Sequence, residues 1–115
     1  MNDINNREDI IALVNLFYEK VKKDDLLASF FAHVNWPKHL PTMYDFWASM
    51  LLGERTYMGA PFQKHISLGI ESEHFDRWLF IFHQTVNENF KGEKAEEAKQ
   101  RAASIAGVWQ HKLSH

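Results

Sequence analysis

The spacing of apolar residues most constrains what this chain can fold into. Ile10, Val14, Phe17 and Val21 follow i, i+4, i+7, i+11, which puts them on one face of a helix, with Leu13 and Tyr18 beside that stripe. His39, Met43, Phe46 and Met50 repeat the spacing, flanked by Trp47. Phe75, Trp78, Leu79, Phe82 and Val86 form a third stripe, and Ala98, Ala102, Ile105, Trp109 and Leu113 a fourth. No segment alternates with period two for long enough to suggest a sheet. The pattern predicts an all-α fold of four main helices. A chain of 115 residues supports one core and is too short for two, so a single domain over 1–115 is expected.

Local signals punctuate these helices. Asn5 with Glu8 fits a capping box, which starts the first helix near Arg7. A short helix is expected over 25–31, then an irregular corner over 34–38, because Pro37 biases Trp36 away from helix. The second helix is predicted over 39–52, with Pro41 tolerated in its first turn and Gly53 as a left-handed cap. Residues 54–69 read as loop, apart from a helical turn or two around 62–66. Ser72 is the expected cap of the third helix, and Gly92 separates it from the last.

Composition narrows the chemistry. Aromatic residues make up 14%, with nine Phe, four Trp and three Tyr, a heavy load for a small helical domain. Such rings either pack on one another or line a slot for a flat cofactor. In the second case the cofactor is part of the core, and its removal leaves a cavity and a marginal apoprotein. A net charge of −2 gives no basic footprint for nucleic acid. No stretch reaches the ~20 apolar residues of a membrane span. The first residues lack a basic region followed by an apolar run, so secretion is not expected and a bacterial cytoplasmic location is. Zero cysteines remove disulfides, thiolate metal sites and thiol nucleophiles, leaving seven histidines as the strong soft-metal ligands.

One histidine stands apart. The segment Gly59-Ala60-Pro61-Phe62-Gln63-Lys64-His65 sets it among helix breakers, ahead of the aromatic third helix. A lone histidine on a short constrained segment over an apolar wall is what a fifth ligand to haem iron requires. Taken alone, such a residue is more often a core-edge histidine satisfied by a backbone carbonyl.

Longer fragments resolve that choice. Phe17-Tyr18-Glu19-Lys20-Val21, His39-Leu40-Pro41, Asp45-Phe46-Trp47, Met50-Leu51-Leu52-Gly53, Tyr57-Met58-Gly59-Ala60-Pro61 and Arg77-Trp78-Leu79 occur in an order and spacing that resemble the third group of truncated haemoglobins. The resemblance runs through Arg101-Ala102, nearly the whole chain. Other groups carry paired glycines, whereas no glycine here precedes Gly53 and Gly59 stands single. The resemblance implies a two-over-two α-helical sandwich around haem b. It makes His65 the proximal iron ligand, Tyr18 and Trp78 the polar residues facing an iron-bound gas, and His39 the distal histidine.

Each assignment has a plainer counterpart. Tyr18 could keep its hydroxyl in water, Trp78 could be one more core ring, and His39 could be a donor, a gate or a helix-start residue outside the pocket. Phe31, Met43, Phe46, Trp47, Phe75, Trp78 and Phe82 are expected haem contacts that ordinary core packing would also explain. Tyr57 would serve the haem by ring packing or through a propionate, and Arg55 and Lys64 are candidate propionate partners on charge alone, with a solvated surface cation as the plainer reading of each. His33, His74 and His83 fit surface or cap positions. His111 and His115, four apart, could chelate a divalent ion only if the last turn holds.

Three functions follow as expectations. The first is reversible binding of dioxygen and related diatomic gases, as in oxygen transport or storage. The second is nitric oxide dioxygenation or peroxide chemistry at the same iron. No carboxylate is evidently placed to push electron density through His65, and turnover would need an external reductase. The third is a cofactor-free helical adaptor that presents its aromatic face to other proteins.

Overall fold

The computed structural model describes residues 1–54 and 71–113, apart from the side chains of Trp109, Lys112 and Leu113. The predicted turn around 62–66 lies outside them, as do the side chains of Trp109 and Leu113. Among the described residues four helices carry the fold: α1 (Arg7–Lys23), α2 (Trp36–Leu52), α3 (Ser72–Asn89) and α4 (Glu93–Leu113), with a short 3-10 helix at Ala28–Phe31 between the first two. There is no strand among the described residues. α1 packs against both α2 and α3, α3 pairs with α4, and α2 touches α4. No described helix is long and apolar enough to cross a membrane.

The predicted stripes supply the core. Ile10, Leu13, Val14, Phe17, Tyr18 and Val21 of α1 are all buried. On α2 the deepest residues are Met43, Trp47, Ala48 and Leu51, whereas His39, Phe46 and Met50 of the expected stripe are half-buried. On α3 Phe75, Phe82 and Val86 are buried as expected, joined by Ile81 and Thr85. The Thr85 hydroxyl costs little there, because it donates to the Ile81 carbonyl at 2.8 Å. Ala95, Ala98, Ala102 and Ala106 give α4 a smooth buried face, which suits close packing on α3.

Helix ends correct several expectations by a residue or a turn. Asn6, not Asn5, caps α1, its side chain accepting the Asp9 N–H at 3.0 Å while Asp9 accepts the Asn5 N–H at 2.9 Å. Only the last four residues of the expected 25–31 helix are helical. α2 begins at Trp36, three residues before the predicted start, so the expected corner is instead a helix N-terminus. Asn35 caps it through the Lys38 N–H, and Pro37 sits in the first turn, where a missing N–H is harmless. Pro41 therefore falls inside the helix. Gly53 takes the expected left-handed conformation (φ 72°). Glu71 rather than Ser72 caps α3, in a reciprocal box with His74, whose Nδ1 accepts the Glu71 N–H at 2.8 Å.

α4 is capped from the other end of the sequence. The Asp3 carboxylate accepts the N–H groups of Lys94 (2.9 Å) and Ala95 (2.8 Å), and Lys91 N–H reaches the Asn2 carbonyl at 3.0 Å. Burial opposes the charge on Asp3. The N–H groups of Lys94, Ile4 and Ala95, with the Lys94 charge, outweigh it and hold the carboxyl below its ordinary value. Gly92 makes this approach possible: at φ 144° it has no Cβ, and one would lie 2.5 Å from Asp3 Cγ. Ile4, 1% exposed, follows Asp3 into the core.

Candidate functional site

Aromatic side chains from α1, α2 and α3 meet in two connected groups. The first gathers around Tyr18: Phe17 at 4.9 Å between ring centroids, Trp36 at 5.1 Å, His39 at 5.5 Å and Phe31 at 6.0 Å. The second gathers around Phe82. Trp47 lies nearly parallel to it at 4.8 Å, Trp78 nearly parallel at 5.8 Å, and Phe17 meets it edge-on at 5.2 Å. Phe17 joins the two, touching both Tyr18 and Trp78 (5.6 Å). Edge-to-face and offset pairs of this kind are the favoured aromatic geometries, each worth ~0.5–1.5 kcal/mol beyond area burial.

Helix geometry accounts for the placement. Tyr18 is 5% exposed because it borders the α1 stripe on the side that meets α2. Burial pushes its hydroxyl pKa up. His39, one turn into α2, sets its ring edge-on to Tyr18 with Nε2 buried. Trp78 is half-buried on α3, one turn from fully buried Phe82.

The sequence-predicted residues therefore divide three ways. Tyr18, His39, Phe31, Trp78, Trp47 and Phe82 come together in the ring network. Met43 and Phe75 are buried, at 4% and 7% exposure, and half-buried Phe46 lies 5.5 Å from Trp47. His65 and Tyr57, with Arg55 and Lys64, lie outside the described residues. Away from the network, His33 and His111 are exposed, while His83 Nε2 lies 3.2 Å from the Lys99 carbonyl.

Two features escaped sequence reasoning. Trp36, assigned to a corner, belongs to the Tyr18 group; the Asn35-Trp36-Pro37 order of a capped helix start was the available signal. Asp24, just after α1, accepts from Arg77 Nε at 2.7 Å and from the N–H groups of Leu26 and Leu27 at 3.2 Å each. Burial opposes the Asp24 charge, but Arg77 and those N–H groups prevail, and its carboxyl titrates below the ordinary range. Arg77 precedes Trp78, so this pair ties the Trp78 turn of α3 to the end of α1.

The chain matches the family described as bacterial-like globin over residues 2–111. The Group 3 truncated hemoglobin ctb of Campylobacter jejuni is 37% identical over 115 aligned positions, covering 94% of this chain and 91% of that relative. The chain belongs to the group III truncated haemoglobins. The crystal structure of the group III truncated hemoglobin from Campylobacter jejuni superposes with a TM-score of 0.87 at 36% identity, covering 98% of this chain and 95% of that one. The two-over-two globin architecture follows, and with it a haem globin. The described side chains suit such a group. Half-buried Phe46, Trp78 and Leu79 border the core with apolar surface, and the buried Tyr18 hydroxyl has a donor to offer.

Proposed function

We propose that this truncated haemoglobin holds haem b through His65 and binds dioxygen and related diatomic gases beside Tyr18 and Trp78. Bound haem supplies an iron that exchanges electron density with a diatomic gas. The chain's own residues do the rest. Tyr18 donates its hydroxyl hydrogen to the gas, and the Trp78 indole N–H is a second donor. His39, beside Tyr18, adjusts the polarity of that side. Phe31, Met43, Phe46, Trp47, Tyr57, Phe75, Trp78 and Phe82 make the apolar bed of the cofactor and keep water out.

The observation that carries this reading is the place of Tyr18, 5% exposed with its ring against His39, where burial pushes the hydroxyl pKa up. A phenol kept neutral in this way retains its hydrogen to donate to a polar ligand arriving beside it. A hydrogen bond from that hydroxyl to a charged acceptor would contribute ~1.5–3 kcal/mol. Family membership points away from the cofactor-free adaptor. An absorption spectrum of the reduced, haem-supplied protein tests the proposal. A Soret band that shifts under carbon monoxide supports it, and a folded protein that stays colourless overturns it. Nitric oxide consumption with a reducing system then separates stoichiometric binding from turnover.

A further inference from the structure

Trp36 is the half-buried member of the Tyr18 group that the site as described leaves without a task. Its indole lies against Tyr18 (5.1 Å), His39 (5.6 Å, edge-on) and Phe31 (6.1 Å, nearly parallel). Tyr18 is 5% exposed while Trp36 is half-buried, so the indole is the outer ring of the pair. Above it sits a cation: Lys22 Nζ lies 4.6 Å from the Trp36 ring centroid, and the same ammonium reaches Glu19 at 3.3 Å. Tyr18 and Lys22 are one turn apart on α1, so a single face of that helix presents both the hydroxyl and the cation to the indole.

The backbone around Trp36 leaves its side chain free to move without disturbing α2. The first turn is secured from Asn35, whose carbonyl accepts the N–H groups of Lys38 (3.1 Å) and His39 (2.8 Å) and whose side chain accepts Lys38 N–H again. Trp36 opens the helix, and its N–H has no place in the intrahelical ladder. The ring is thus held by ring contacts and by Lys22, and a change of side-chain rotamer would lift it while the helix stays formed.

We infer that Trp36, latched by Lys22, is the door between solvent and the Tyr18–His39 side of the pocket, and that it sets how fast a neutral diatomic gas enters and leaves. The inference rests on the gas-binding reading above. A door indifferent to the occupant changes entry and exit by the same factor and leaves affinity unaltered, which separates it from a residue that merely shapes the pocket. An exposed cation–π pair is equivalent to about a two- to fivefold bias of the closed state, so losing it should raise both rates by about that factor.

The test uses reduced, haem-supplied protein. Carbon monoxide association is followed by flash photolysis and dissociation by nitric oxide replacement, for wild type, Lys22→Gln, Lys22→Arg, Trp36→Phe and Trp36→Ala. Lys22→Gln should speed both rates about two- to fivefold at constant affinity, Lys22→Arg should restore them, and Trp36→Ala should exceed both. Trp36→Phe keeps a ring in place should the alanine variant fold poorly, and an intermediate rate is expected from it. A second readout needs no ligand. In protein labelled with 5-fluorotryptophan, the Trp36 fluorine resonance, assigned by its loss in Trp36→Phe, should move in Lys22→Gln and return in Lys22→Arg. Normal carbon monoxide binding with rates indifferent to Lys22→Gln and Trp36→Ala overturns the door alone, as does an unmoved fluorine resonance. A wild type that takes up no carbon monoxide overturns the gas-pocket reading and the door together.

Discussion

Replacing Tyr18 by Phe should have opposite effects on two states of the protein. The ring is retained, so the contacts with Phe17, Trp36, His39 and Phe31 at 4.9 to 6.0 Å survive the change. Only the hydroxyl is lost. In the gas-free protein Tyr18 is 5% exposed, and burial alone accounts for the raised pKa of its hydroxyl. Its removal there should leave stability unchanged or raise it by up to ~1 kcal/mol. In the oxygenated protein the hydroxyl is proposed to donate to a charged acceptor, and losing ~1.5–3 kcal/mol of that bond should speed oxygen release about 10- to 150-fold. Urea unfolding of the gas-free form and stopped-flow displacement of oxygen by carbon monoxide read the two quantities separately. A variant that releases oxygen at the wild-type rate would remove Tyr18 from ligand binding. One that is also destabilised by several kcal/mol would mean that the hydroxyl is satisfied after all.

Three further outcomes follow from the fold. Gly92→Ala should destabilise the protein by more than ~1 kcal/mol, since φ 144° disfavours any side chain and the new Cβ would meet Asp3 Cγ at 2.5 Å; an unchanged thermal midpoint would refute the close approach. Ala102→Leu should cost ~1–3 kcal/mol by wedging α4 away from the core, because Ala102 is 0% exposed. Asp3 and Asp24 both titrate below the ordinary carboxylate value of 3.8 in the folded protein, so their stabilisation is complete above that pH and is lost as pH falls through the lower folded values. Thermal midpoints of wild type and Asp24→Asn should therefore differ near neutrality and converge in strong acid; a constant offset would show that the carboxylate's charge is irrelevant.

What the sequence revealed and what it hid follow physical lines. The α1 stripe was legible because a helical face buried along its whole length leaves an unbroken period, and Gly53 because its left-handed cap has few other occupants. The start of α2 was misjudged because the restriction Pro37 imposes on Trp36 falls at a helix terminus, where the backbone is least committed. Ala95 and Ala106 were passed over since a stripe sought among large residues misses a face made smooth by small ones. The Asp3 cap on α4 joins residues 91 apart, and no local pattern announces it. The Tyr18–His39 juxtaposition was reached only through the family resemblance, because no spacing links the two helices. The contact of Trp36 and Lys22 with that pair had no such guide.

Absorption spectra of the haem-supplied wild type and of His65→Ala, each reduced and then exposed to carbon monoxide, bear most directly on the claim that residue 65 grips the metal while the other side stays open. The wild type should hold its pigment through gel filtration and shift its Soret band with the gas. The alanine variant should lose pigment or show an altered band, and added imidazole should restore it. Identical spectra and equal pigment retention in the two proteins would contradict the claim.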